Sequence, residues 1–274
     1  SPVKQKAIRL NLKTVEIKKM NEYIYKELLN LDFDSLVIVS FGHIISEDII
    51  NLSHGCAVNV HPSLLPKYRG PSPIVSALIN GDKETGVTIM NINKNLDMGD
   101  IFAQVRFKIS STDNKDKLES KIIKIGAPLL ISVLNLIELK MIETFPQEGE
   151  PSYTKVFNSG DMRIDWSLKS DEILNKIRAF SSEPGAFTIF SGLRIKILNA
   201  AEYYCKEEDF ARLVSDDRYE YGTVIIADKD NGVIVKCKDG KALKIIELKV
   251  EGKTKISSLD FLNGYRIKPG DYFS

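Results

Sequence analysis

Three short, largely apolar runs rich in β-branched residues constrain this chain more than anything else in it: "SLVIVSF" at 35–41, "GCAVNVH" at 55–61 and "GVTIMNI" at 86–92. A strand without polar alternation must be covered on both faces, which is the condition of parallel strands sandwiched by helices. Helical patterns supply the cover. Residues 18–30 carry Met20, Tyr23, Ile24, Leu28 and Leu29 near helical spacing. Residues 72–81 have an N-cap candidate in Ser72, a proline at the first helical position in Pro73, and a closing glycine in Gly81. A fourth strand, "DIFAQVRF" (100–107), pairs with the third through the turn-rich "NKNLDMGD". A long helix over 114–140 turns Ile122, Ile123, Ile125, Leu129, Leu130, Val133, Leu134 and Ile137 towards the sheet. The alternation predicts an α/β layer fold, Rossmann-like, with a largely parallel sheet over residues 1–142.

At 274 residues, two domains are the default. The character changes at "ETFPQEGEPSYTKVFNSGD" (143–161), where Pro, Gly and charge replace periodicity and predict a linker. Residues 162–274 form the second domain. One helix is expected at "SDEILNKIRAF" (170–180), followed only by short strands at 187–190, 193–198, 222–227, 232–237 and 243–250. A small closed β-barrel suits them, because closure removes unpaired edges.

Composition narrows the classes. The net charge of +1 exerts no global pull on nucleic acid. A polyanion would need a local patch, and "KCKDGKALK" (236–244), with Lys236, Lys238, Lys241 and Lys244, is the visible candidate. The plain alternative is a solvated strand-turn-strand. No apolar run approaches the roughly 20 residues of a membrane span, and the start lacks a signal-peptide core, so no membrane partner is expected. Cys56, Cys205 and Cys237 make neither a disulfide framework nor a metal spacing. With only His43, His54 and His61 available, no metal is expected. A reducing cytoplasm and a monomer fit best.

The chemistry-bearing stretch is "NVHPSLLPKYRGPSP" (59–73). Residues two apart in a strand share a face, so Asn59 and His61 project together while Val58 and Val60 face the other way. Pro62 ends the strand, which puts the pair at its carboxyl edge, where open α/β sheets bind ligands. An amide and an imidazole buried there without partners would cost about 1–3 kcal/mol each. Either they satisfy loop backbone groups or they serve a ligand. Pro62, Pro66, Gly70 and Pro71 stiffen the loop, and Leu64 and Leu65 could wall an apolar cleft or tuck into the core. Asp97, in "NLDMGD", is a third candidate that could equally be a turn residue.

Taken together, "VIVSFGHII", "NVHPSLLPKYRG", "GDKETGVTIM" and "LDMGDI" resemble the catalytic half of the folate-dependent formyltransferases. Further on, "RIDWS", "RAFSSEPGAFT", "GTVI" and "DFLNGYRIKPGD" are similar to the C-terminal domain of the methionyl-tRNA formyltransferases. The resemblance covers nearly the whole chain and implies a second domain of OB-like β-barrel type. It also implies transfer of a formyl group from 10-formyltetrahydrofolate to methionine on initiator methionyl-tRNA, in translation initiation. By resemblance, Asn59 and His61 donate hydrogen bonds to the developing oxyanion, and Asp97 orients His61 and relays a proton. The folate pocket carried over comprises Phe41, Gly42, His43, Ile44 and Ile45, then Ser63, Leu64, Leu65 and Pro66, then Asn95, Leu96 and Met98. The lysine patch at 236–244 becomes the candidate tRNA contact.

The family usually begins with a strand-helix-strand unit and a basic, glycine-containing loop that leads into an "SPVK"-like segment. This chain opens at "SPVK", so the resemblance leads one to expect that unit to be missing, with the loop thought to engage the tRNA acceptor end. Two other readings share the motifs. One is a different folate-dependent formyl transfer, or a formyltetrahydrofolate hydrolase; the other is a catalytically silent RNA-binding protein.

Overall fold

The computed structural model describes residues 2–16, 22–31, 33–42, 45–53, 56–204 and 213–274. Its first half holds α1 (Pro2–Arg9), α2 (Glu22–Leu29), β1 (Leu36–Val39), α3 (Glu47–Asn51), β2 (Ala57–His61), α4 (Pro73–Ile79), β3 (Glu84–Asn91), β4 (Ile101–Lys108) and α5 (Lys115–Glu138). The four strands form one sheet in sequence order. Only β1 and β2 run parallel; β2–β3 and β3–β4 are antiparallel. The expected largely parallel sheet is therefore mixed among the described residues. The cause is connection geometry: the 62–83 link brings β3 back beside β2 in the opposite sense, and the 92–100 turn makes β3–β4 a hairpin.

Two of the three apolar runs behave as their composition requires, while β1 does not: Val37 is 38% and Val39 56% exposed, so one face of that strand is uncovered among the described residues. Val58, Val87 and Ile89 are fully buried, and α5 covers them with Leu118, Ile122 and Val133. Gly126 sits at the closest approach of helix to sheet, where a Cβ would lie 3.3 Å from Val87 and 3.5 Å from Val60. Asn114 caps the helix by accepting from the Lys117 N–H at 3.0 Å. Ile123, expected to face the sheet, is 67% exposed and points away. Among the described residues α5 is long and apolar enough to cross a membrane by length and composition, contrary to the expectation that no run comes close. Its buried stripe is committed to the sheet instead. Met20, used in the expected first helical face, lies outside the described residues, while Tyr23 falls within α2.

The second half contains a 3-10 turn at Gly160–Met162, α6 (Ser170–Phe180), then β5 (Ala186–Phe190), β6 (Leu193–Tyr203), β7 (Val224–Asp228), β8 (Gly232–Lys236), β9 (Ala242–Val250) and β10 (Lys255–Ser257). It ends with α7 (Ser258–Tyr265), a helix the strand-only reading did not anticipate. Its signal is short: Ser257 accepts from the Asp260 N–H at 3.1 Å, and the Asp260 carboxylate accepts back from the Ser257 N–H at 3.2 Å. The strand order is β5-β6-β9-β8-β7, all antiparallel, with β10 on β9. The C-terminal segment ties the two ends of this order together. Ser274 exchanges backbone hydrogen bonds with Ile189 on β5, while Asp271 accepts from Val224 on β7. The core inside is aromatic: Phe180, Phe261 and Phe273 are buried, and Trp166 stacks on Phe273 with ring centres 6.1 Å apart.

Helix α6 belongs to both halves. Its Ile173 and Ile177 enter the C-terminal core, while Ala179 joins the core of the first sheet. Arg178 donates to the carbonyls of Ser110 and Asp113, at 3.3 and 3.0 Å.

Candidate active site

Strand β2 delivers the two central side chains. Val58 and Val60 join the core under α5, which leaves Asn59 and His61 on the opposite face, as a period of two demands. Asp97 reaches them from the turn between β3 and β4. The Asn59 Nδ2 donates to Asp97 Oδ1 at 3.3 Å. His61 Nδ1 lies 3.7 Å from Asp97 Oδ2, too far for a hydrogen bond and an ion pair only when the ring is protonated. His61 is 4% and Asp97 10% exposed at the side chain, so the carboxylate faces the imidazole rather than bulk solvent. Two side chains of one strand and a carboxylate 38 residues beyond Asn59 thus share one spot.

The other imidazole nitrogen fixes the tautomer. His61 Nε2 lies 2.9 Å from the Tyr68 carbonyl oxygen, which can only accept, so Nε2 carries the proton in the neutral ring. Nδ1 is then a bare lone pair aimed at the Asp97 side. Burial holds the His61 pKa below its ordinary 6.5, with the Asp97 charge and the Tyr68 carbonyl pulling partly the other way. The sign follows. Below about pH 6.5 the unfolded chain binds a proton that the folded one refuses, so stability is complete above that value and declines as pH drops through the window down to the folded pKa. The expected donation from His61 to an oxyanion depends on which ring nitrogen carries a proton. Its one proton is engaged on Tyr68, and Nδ1 donates only after it has been protonated.

Asp97 is held tightly. Its backbone adopts φ +52°, a left-handed conformation that costs a non-glycine residue about 1–2 kcal/mol. The Gly70 N–H donates to Asp97 Oδ2 at 2.7 Å. Gly99 closes the turn so near β3 that a Cβ there would fall 1.7 Å from the Asn91 carbonyl oxygen, which excludes any side chain. Sequence reasoning did not find Tyr68 or Gly70 as partners. "YRG" sits within the stretch it singled out, but backbone groups carry no residue-type signal.

The residues expected to bind folate divide. Leu96 and Met98 flank Asp97 and are 61% and 43% exposed, and Phe41 beyond β1 is 38% exposed; these are apolar groups presented to solvent near the strand ends. Gly42 and Asn95 are also exposed, and Ile45 is half-buried. His43 and Ile44 lie outside the described residues. Ser63 and Leu65 do not offer side chains to a ligand. Ser63 is fully buried with its hydroxyl on the Lys67 carbonyl at 2.6 Å, and Leu65 packs with Met90 and Ile101. Thr88 and Gln104 pin that loop from beneath: Thr88 Oγ1 donates to the Ser63 carbonyl at 2.7 Å, and Gln104 Nε2 donates to the Leu65 carbonyl at 3.1 Å. Leu64, Leu65 and Pro66 line a cleft of about 490 Å³ whose other walls include Asp82, Glu84, Arg106, Glu148 and Glu150. It is a charged cleft, not the apolar one anticipated.

The lysine patch is also uneven. Lys236 is 4% exposed and donates to the Asp216 carbonyl at 2.7 Å, so its cation is turned into the domain. Lys241 pairs with Glu202 at 2.6 Å. Lys238 is exposed and Lys244 half-buried. Strand β8 is covered on both faces, with Val233 and Val235 in the main C-terminal core and Ile234 in a second cluster with Val214; Lys236 shares the Ile234 face, beneath that cover.

A family model described as formyl transferase matches residues 2–134, and one described as formyl transferase, C-terminal domain, matches residues 158–266. The chain is 39% identical over 276 residues to the methionyl-tRNA formyltransferase of Dictyoglomus thermophilum, covering 100% of this chain and 86% of that relative. It is 38% identical over 274 residues to the enzyme of the same name from Halothermothrix orenii, covering 99% and 84%. Among solved structures, HypX from Aquifex aeolicus in complex with tetrahydrofolic acid shares the fold at a TM-score of 0.65 and 20% identity, over 92% of this chain and 43% of that one. WlaRD, a sugar 3N-formyl transferase solved in the presence of dTDP and 5-N-formyl-THF, does so at 0.60 and 23% identity, over 92% and 82%.

Proposed function

This chain belongs to the methionyl-tRNA formyltransferase family, and on that premise we propose that Asn59, His61 and Asp97 carry formyl transfer from 10-formyltetrahydrofolate to the amino group of methionine on initiator tRNA. The observation that supports the site most is the convergence itself: Asn59 Nδ2 at 3.3 Å and His61 Nδ1 at 3.7 Å from the two oxygens of one largely buried carboxylate.

The folate co-substrate brings a formyl group already attached to nitrogen. The residues present suit it. Phe41, Leu96 and Met98 offer apolar surface beside the polar trio, the mixture expected of a small-molecule site. The Asn59 amide has a second N–H, which has no partner among the described residues, and that N–H donates to the formyl oxygen as negative charge develops there. His61, kept neutral by burial, takes the proton from the attacking methionine amine on its bare Nδ1. The resulting imidazolium is flanked by the Asp97 carboxylate and the Tyr68 carbonyl. His61 then returns that proton to the departing folate nitrogen. The new C–N bond forms on the methionine amine, the old one breaks at folate, and one proton has crossed between the two nitrogens.

The tRNA is held in part by the C-terminal sheet, with Lys238 and Lys241 exposed, the latter paired with Glu202, and Lys244 half-buried. The test is formyl release from 10-formyltetrahydrofolate with and without charged initiator tRNA. Release that requires methionyl-tRNA and yields formylmethionyl-tRNA is the expected result. Release of formate without tRNA would mark a hydrolase, and no release in either case would mark a silent RNA-binding protein.

A further inference from the structure

We propose that Gln147, in the segment joining the two halves, is a positioning residue for Asp97, so that this segment is a working part of the active site rather than a tether. The inference rests on the reading of Asp97 given above.

Gln147 uses its whole amide on the catalytic turn and its support. Its Nε2 donates to the carbonyls of Asp97 and Gly99, at 2.9 and 2.8 Å. Its Oε1 accepts from Arg69 Nε and Nη2, at 3.1 and 2.7 Å. One side chain must therefore supply two N–H donors and one strong acceptor from the same end, which only a carboxamide can do. Glutamate lacks the donors, and lysine or arginine lacks the acceptor. One of the carbonyls it holds belongs to the residue whose backbone is left-handed and the other to Gly99, two residues on. A strained turn persists only while its surroundings over-determine it.

A second path from the same segment reaches the same residue. Arg69, 7% exposed, exchanges backbone hydrogen bonds with the segment: its N–H donates to the Ser152 carbonyl and its carbonyl accepts from Thr154, both at 2.8 Å. Its guanidinium also donates to the Tyr153 hydroxyl at 3.2 Å. The next residue, Gly70, is the donor to Asp97 Oδ2, and a Cβ on it would lie 2.8 Å from Thr154 Oγ1. Ahead of Gln147, Phe145 exchanges two backbone hydrogen bonds with Ile101, just past the turn. Residues 145–154 thus fix the backbone of Asp97 through Gln147 and its carboxylate through Arg69–Gly70.

The experiment compares Gln147→Glu, Gln147→Met, Asp97→Asn and the double variant Gln147→Glu/Asp97→Asn in steady-state formyl transfer. Gln147→Glu keeps an acceptor for Arg69 and so preserves the segment's anchorage while removing both donors to the turn. If Gln147→Met does not fold, Gln147→Glu still decides the matter. Either single change at 147 is expected to lower kcat about tenfold, the scale of a hydrogen bond or two, with KM for the folate within about twofold. The cycle carries the decision. Because Gln147 acts through Asp97, the change at 147 should cost nothing further once Asp97 is Asn. A repeat of the full loss in the double variant overturns the inference, as does a normal kcat in both single variants at 147 while Asp97→Asn is impaired. Normal turnover in Asp97→Asn removes Asp97 from the mechanism, and the inference falls with it.

Discussion

Asn59→Ala turns over about 10²–10³-fold more slowly than the parent, with folate affinity within a few-fold, because it removes a donor aimed at charge that exists fully only in the transition state. The geometry says why the loss falls on kcat. Asn59 is half-buried on the strand face opposite the apolar core, and one N–H of its amide is tied to Asp97 at 3.3 Å. That bond pre-orients the amide, so no reorganisation is needed when oxyanion character appears. Truncation also strips Asp97 Oδ1 of that donor. Two donors are then lost to the site by one substitution, while Phe41, Leu96 and Met98, the apolar surface available for ground-state binding, are untouched. Single-turnover transfer measured beside equilibrium folate binding separates these terms. A binding defect that accounted for the whole loss would reassign Asn59 to ground-state recognition.

Asp97→Asn is the second large effect, a loss on the order of 10² or more in turnover, the range of a disabled proton-transfer device. The substitution keeps the side chain's size and one acceptor oxygen for the Gly70 N–H, while the Asn59 amide loses its acceptor along with the charge. What disappears is the counter-charge 3.7 Å from His61 Nδ1. In the parent, burial lowers the His61 pKa and the Asp97 carboxylate partly restores it. Without the carboxylate, the pKa moves further down, and a proton taken from the amine is held less well. NMR titration of the His61 ring in the two proteins reads this directly. An upward movement in Asp97→Asn, or none, would show that the carboxylate does not act on the imidazole.

Much of this site was legible in sequence because its parts obey short-range rules. Asn59 and His61 sit two apart in a run with valines between, and a period of two decides which face each takes. Pro62 marks the strand end. The long helix beginning near Asn114 and the helix at Ser170–Phe180 were likewise local signals. What was not legible depends on contacts between distant segments. The sense of β3 follows from how the 62–83 connection closes, not from its residues, so a mixed sheet reads like a parallel one. The partners of His61 and Asp97 come largely from main chain, an acceptor carbonyl at Tyr68 and a donor N–H at Gly70. Gln147 lies in a stretch whose Pro, Gly and charge read as linker, yet its side chain reaches the catalytic turn. Lys236 looked like a phosphate contact because charge is visible in sequence and strand facing at a turn is not. The same limit applied to Ser63 and Leu65, which the loop folds inward.

The most direct measurement is a structure of the protein with a non-transferable folate analogue that keeps a carbonyl at the position of the formyl group. The account predicts that carbonyl oxygen within about 3 Å of Asn59 Nδ2, the ordinary length of an N–H···O bond, with His61 Nδ1 and Asp97 facing the same group and the ring of the analogue against Phe41, Leu96 or Met98. A carbonyl bound on the other side of the sheet, or in the charged cleft beside Leu64 and Arg106 with Asn59 still engaged only by Asp97, would contradict it.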